Sequence, residues 1–208
     1  MLPGYAELGL PCLILSYRNS PDGPGVGDGS YRLGLAEWQD LEDAVRFARK
    51  RGARDVIVVG CSMGGGIVMQ YLRRSPERVT VRAAVLDAPA LDWAVMFDRE
   101  GQRRGVPWLL TAWGKSVAGV RGGFRWEELS QVRFAADFST PMLVFHGEAD
   151  ETVPVELSRS FAAARPDLVT LRVTPAVGHV ESANADPERY AAVLRGWLTA
   201  HGIGAVAH

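Results

Sequence analysis

Gly60-Cys61-Ser62-Met63-Gly64 stands directly after the apolar run Asp55-Val56-Ile57-Val58-Val59 and directly before the helix-forming stretch from Gly65 to Arg74. Those residue types in that order describe a strand that passes into a helix through one tight turn with a serine at its apex. The apex residue takes strained dihedrals and flanking side chains would clash, so Gly60 and Gly64 are expected to supply the room. Such a turn lifts the Ser62 hydroxyl above the sheet and aims the Met63 N–H and the helix N-terminus at any anion that forms beside it. Ser62 is therefore the candidate nucleophile and Met63 the candidate oxyanion donor. An ordinary Gly-rich turn with a capping serine would use the same residues, so the surrounding chain has to supply the rest of the chemistry. A serine hydroxyl is a poor nucleophile at neutral pH; it needs a base, and the base needs an orienting carboxylate. Asp150 and His179 lie downstream, which gives the chain order Ser, Asp, His. Cys61 is expected to face away from the site, because consecutive side chains on such a turn diverge.

Other chemistry-bearing patterns fail on spacing. The glycines at 23, 25, 27 and 29 have Asp28 or Ser30 where a dinucleotide loop needs its third glycine. Gly114-Lys115-Ser116 ends like a phosphate-binding loop, but Leu109 stands where the opening glycine belongs. His146, Glu148 and Asp150 are close in sequence without the further ligand a zinc site would want, so no metal and no cofactor is expected.

Positioning these groups is the task of alternating strands and helices. Short apolar runs at Cys12 to Tyr17, Asp55 to Gly60, Arg82 to Leu86, Met142 to Phe145 and Leu168 to Val173 read as strands. A helix or helix-forming stretch follows each, the pattern of a parallel sheet covered on both faces. Glu37 to Arg51 carries Trp38, Leu41, Val45 and Ala48 at helical spacing and stops at Gly52. Further helices are expected from Pro154 through Ala164, and from Pro187 with Tyr190, Val193, Leu194 and Trp197 on one face. Ala90 to Ser139 has no clean periodicity but holds Trp93, Phe97, Trp108, Trp113 and Trp126. It is either a small lid or substrate pocket inserted between strands, or an irregular aromatic layer packed on the core.

A chain of 208 residues, 47% hydrophobic and 23% charged, builds one substantial core, so residues 1–208 are expected to form one domain with a lid-like insertion at about 90–139. The net charge of −1 provides no electrostatic footprint for nucleic acid or anionic lipid. No apolar run approaches the roughly 18 residues of a membrane span, and the expectation is a soluble cytoplasmic protein. Cys12 and Cys61 are placed at opposite edges of the sheet, where no disulfide is expected.

Three stretches together, Gly60-Cys61-Ser62-Met63-Gly64-Gly65, Phe145-His146-Gly147-Glu148-Ala149-Asp150-Glu151-Thr152-Val153-Pro154 and Val177-Gly178-His179, resemble the α/β-hydrolase superfamily over nearly the whole chain. Ser16-Tyr17-Arg18-Asn19, Leu33-Gly34 and Glu37-Trp38-Asp40 further resemble a bacterial branch of dipeptidyl-aminopeptidase-like and esterase-like members. The resemblance implies a three-layer αβα sandwich with a mostly parallel sheet. It implies Asp150 as the acid, with Asp87 as fallback, and His179 as the base. It implies a serine hydrolase that cleaves a small-molecule acyl substrate, an ester, thioester or small amide, through an acyl-enzyme, without a cofactor. It also implies that Cys12 to Tyr17 matches the family's fourth strand. The third strand, which would lie between that run and Asp55 to Gly60, and the loop that supplies a second oxyanion donor have no counterpart, so the fold is expected to be N-terminally truncated. Loss of one such donor costs roughly 10²- to 10³-fold in turnover. The alternative expectation is therefore a catalytically impaired or non-catalytic fragment.

Overall fold

The computed structural model describes residue 5 and residues 9–27 and 29–203. Four strands, β1 (Val56–Cys61), β2 (Val81–Asp87), β3 (Met142–Gly147) and β4 (Val169–Thr174), form one sheet in the order β1-β2-β3-β4. All three pairings are parallel. Parallel neighbours need crossovers, and the helices that supply them cover both faces of the sheet.

The alternation of side chains along the strands divides the core in two. On β2, Ala84 and Leu86 face one side with Met142 and Val144 of β3; Ala83 and Val85 face the other with Leu143 and Phe145. The first side is closed by Leu41 and Val45 of α1 (Trp38–Lys50), by Ile67, Met69 and Leu72 among others of α2 (Met63–Arg74), and by Leu157 and Phe161 of α5 (Val155–Ala164). The second is closed by Ala183 of α6 (Ser182–Ala185) and by Tyr190, Leu194, Trp197 and Leu198 of α7 (Pro187–Ala200). Full burial of each such Leu, Phe or Met contributes about 1.5–3 kcal/mol, which fixes strand register as well as stability. The result is the expected three-layer αβα sandwich.

The run from Cys12 to Tyr17 departs from expectation, since it pairs with no strand among the described residues. Leu15 and Tyr17 are half-buried against the core beside Trp38, while Leu13 and Ile14 face solvent. Its anchor is helical. The Arg18 N–H donates to Asp40 Oδ2 at 2.8 Å and the guanidinium clasps the same carboxylate, tying the segment to α1 and not to β1. Packing against the core accounts for Leu15 and Tyr17 of this apolar run, and not for Leu13 and Ile14.

A second departure lies between β2 and β3, where residues without readable periodicity form two regular helices, α3 (Trp93–Arg103) and α4 (Trp108–Gly122). Asp92 caps α3 by accepting the Val95 N–H, and Gly123, at φ 63°, ends α4 in the left-handed conformation. Apolar residues surround α4, with Trp108, Leu109, Leu110 and Trp113 exposed, so no single stripe marks it as helical. Gly114 and Lys115 are turns of this helix, and Lys115 Nζ bonds Asp98 of α3 at 2.6 Å.

Candidate active site

Ser62 joins β1 to α2 with φ 49° and ψ −119°, a strained region that costs about 1–3 kcal/mol and persists only where neighbours enforce it. They do so on both sides of the peptide. Ser62 N–H donates to Asp87 O at 3.0 Å, and Ser62 O accepts from Ala90 N at 3.0 Å and Gly66 N at 3.2 Å. A Cβ on Gly60 would sit 2.5 Å from Gly64 O, and one on Gly65 would sit 2.6 Å from the Pro89 Cβ. Gly64, by contrast, has open space where a Cβ would go. The turn therefore requires glycine at 60 and 65, which corrects the expectation that Gly60 and Gly64 make the room. Met63 is the first residue of α2, so its N–H has no acceptor within the helix.

Ser62 Oγ lies 2.9 Å from His179 Nε2, and His179 Nδ1 lies 2.7 Å from Asp150 Oδ2. Sequence positions 62, 150 and 179 thus converge beyond the carboxyl ends of β1, β3 and β4. The loop that brings His179 there is itself strained. Ala176 and Val180 both have φ 56°, and Val180 is β-branched, a type that seldom adopts it. Gly147 allows this loop to cross the end of β3, since a Cβ there would meet Val177 O at 2.2 Å. Ala149 N–H bonds that same carbonyl at 3.0 Å. The His179 side chain remains 25% exposed, enough for a substrate to reach it, while Asp150 is fully buried.

Burial alone would raise the Asp150 carboxyl, but hydrogen bonds outweigh it and hold the group well below the usual carboxylate range. His179 reaches Oδ2, His146 Nε2 stands 3.3 Å from the same oxygen, and the Thr152 and Val153 N–H groups each donate to Oδ1 at 2.8 Å. His146 is wholly buried, with Nδ1 2.7 Å from Ser158 Oγ and Nε2 3.0 Å from Val153 O, so it buttresses the turn of Asp150.

Asp87, the fallback acid, takes a different position. Its Oδ1 accepts from Ser182 Oγ at 2.9 Å and its buried Oδ2 has no hydrogen-bond partner among the described residues; burial pushes its pKa up. Its backbone carbonyl holds the Ser62 N–H, and its side chain holds the segment after His179, so one residue spans both halves of the arrangement. Beside it, burial lifts the Cys61 thiol to about 11. Glu37 is another residue whose part at the site went unread. Its buried carboxylate accepts the Arg32 N–H at 2.6 Å and the Gly34 N–H at 2.8 Å, shaping the loop that approaches α2 at Gly66. The sequence marks Glu37 as a helix start and as part of the Glu37-Trp38-Asp40 resemblance, and neither signal points to this loop.

A cavity of about 730 Å³ adjoins this arrangement, walled by that loop, by α3 and α4, and by Glu151 and Thr152 next to Asp150. Its volume is that of a drug-sized ligand site. The residues from 93 to 126 thus wall a pocket and do more than cover the core.

The chain belongs to the alpha/beta hydrolase family, whose model matches residues 2–193. No curated protein sequence matches it. Among solved structures, the Pyrococcus furiosus esterase Pf2001 is similar over 95% of this chain and 74% of its own, with 19% identity and a TM-score of 0.73. The Thermogutta terrifontis esterase Est2, bound to propionate, is similar over 84% of this chain and 68% of its own, with 23% identity and a TM-score of 0.62. A Mycobacterium tuberculosis puromycin-hydrolyzing peptidase shares 20% identity and a TM-score of 0.63 across 85% of this chain and 26% of its own. At these identities the likeness is one of fold.

Proposed function

We propose that this protein is a serine hydrolase that cleaves an ester, thioester or small amide through an acyl-enzyme. The observation that carries the reading is the unbroken hydrogen-bonded chain from Ser62 through His179 to Asp150. Ser62 Oγ attacks the substrate carbonyl as its proton passes to His179 Nε2, and the tetrahedral oxyanion forms beside the Met63 N–H. Collapse breaks the bond to the leaving group, which takes the proton from Nε2. Water then repeats the sequence on the acyl-enzyme, giving up a proton to His179 and releasing the acid and free Ser62. Asp150, kept ionised by its N–H donors, accepts Nδ1–H and so holds the imidazole in the tautomer that leaves Nε2 free as a base. This chemistry asks for no cofactor.

Esterases and a peptidase among the similar structures support acyl transfer as the reaction class. The second reading, an impaired hydrolase, is favoured by one observation: the outer edge of β1 has no partner strand among the described residues. Steady-state hydrolysis of p-nitrophenyl butyrate separates the two. The wild type should turn over, with kcat falling by at least 10³-fold in Ser62→Ala and His179→Gln. Turnover unaffected by either substitution would refute the assignment, and absent turnover in a folded wild-type protein would favour the impaired reading.

A further inference from the structure

The helix α4 has two sides of different kinds. On the inner side Thr111 is buried beside Gly101 of α3, Lys115 Nζ bonds Asp98 of the same helix, and Ala118 lines the cavity. Leu110, Trp113, Val117 and Val120 recur at intervals of three, four and three residues and so share the opposite side. Three of them are open to solvent, Leu110 at 58%, Trp113 at 68% and Val120 at 83%, with Leu109 beside them at 62%. That spacing is the one with which a helix packs lengthwise on another helix, and here the second helix is missing from the chain's own fold.

The seam is complementary to itself. With a two-fold axis passing beside residue 115, two antiparallel copies of α4 set Trp113 of one against Val117 of the other, and Leu110 against Val120, so a large side chain meets a smaller one at each step. None of the four is charged, and Lys115 is tied to Asp98 on the far side of the helix. Arg103 and Arg104, which precede α4, both engage Glu100, so they offer little to an anionic lipid surface. At about 150–250 Å² per aromatic side chain, the exposed part of Trp113 together with Leu109, Leu110 and Val120 presents roughly 500 Å² per chain. Two copies then bury about 1,000 Å², the lower bound for a specific interface. From this we propose that the occupant of this face is a second copy of the chain, with α4 packed antiparallel on α4 in a weak two-fold dimer. Well below its dissociation constant the chain is a monomer and the face is free. The pairing does not depend on the hydrolase reading.

Sedimentation velocity over about 5 to about 500 µM reads the association, and the sedimentation coefficient should rise across that range from the value of one chain toward that of two. Leu110→Glu and Val120→Lys should each weaken it at least about tenfold. Carried together they set Glu against Lys across the two-fold axis, and the double variant should associate at least about threefold more tightly than either single one. Val79→Lys, which charges another apolar residue 83% exposed, in the turn before β2, should change nothing. All three side chains face solvent, so an unchanged Tm is expected in each variant. A monomer throughout the range, association that survives either single substitution, loss in Val79→Lys, or no gain in the double variant would each overturn the proposal. A chain that stays monomeric but sediments with phosphatidylcholine vesicles, and no longer does so in Trp113→Ser, would overturn it in favour of a lipid surface.

Discussion

At the scale of single residues, two buried carboxylates with opposite shifts do different work. Asp150 is depressed by its donors, so Asp150→Asn should swap an acceptor for a donor at His179 Nδ1 and hold the wrong tautomer, lowering kcat by about 10⁴-fold with KM little changed. The same depression links stability to pH. A carboxylate whose folded pKa lies below its unfolded value of about 3.9 stabilises the fold above that pH, and the contribution is lost as pH falls through the folded value. The gap in Tm between the wild type and Asp150→Asn should therefore narrow steadily as pH falls below about 5. A constant gap would mean that the carboxylate charge contributes nothing. Asp87, raised by burial, acts through Ser182 and the Ser62 N–H. Asp87→Asn preserves an acceptor for Ser182 and should keep kcat within about threefold, whereas Asp87→Ala should cost at least tenfold, because Ser182 is left buried and unpaired. Equal losses in the two variants would contradict this positioning role.

At the scale of elements, the turn at Ser62 and the loop at His179 depend on backbones that approach within a Cβ's reach. Gly60→Ala and Gly147→Ala should each unfold the protein or lower Tm by well over 10 °C, since each new Cβ meets a carbonyl at 2.5 Å or less. Gly64→Ala should leave Tm unchanged or raise it, because Ala in an open helical position is favoured by roughly 0.5–1 kcal/mol over Gly. The contrast shows what the sequence could convey. Strong local signals were readable: a β-branched run at Val56–Val59, an apolar run at Met142–Phe145, helical spacing in Trp38 to Ala48, and Pro187 at the start of a helix. Contacts between distant segments were not. Nothing local to Gly147 says that Val177 will cross it, nothing at Glu37 says that its carboxylate will gather a loop, and an all-round apolar helix such as α4 carries no stripe. The Cys12 to Tyr17 run misled for a related reason, since an apolar run reads as a strand whether or not its residues are paired, and here Leu15 and Tyr17 pack on the core while Leu13 and Ile14 face solvent.

At the scale of the whole molecule, the sandwich is closed on both faces, while the outer edge of β1 has no partner strand among the described residues and the tip of α4 faces solvent. Trp108 and Trp113 are exposed by 75% and 68%, with Leu109 and Leu110 beside them. A contiguous apolar surface of this kind should bind a hydrophobic dye such as ANS in the folded state. Replacing both tryptophans with serine should remove most of that fluorescence without lowering Tm; unchanged fluorescence would place the dye elsewhere, with the β1 edge the next surface to test.

The claim on which the account depends is that Ser62 is the activated nucleophile of an acyl-transfer site. Labelling with a fluorophosphonate followed by peptide mapping reads it directly, because the reagent phosphonylates only a hydroxyl made nucleophilic by its neighbours. The expected result is one modified residue, Ser62, with labelling abolished in Ser62→Ala, largely lost in His179→Gln and retained in Cys61→Ala. A label mapped to any other residue, or labelling that survives Ser62→Ala, would contradict the account.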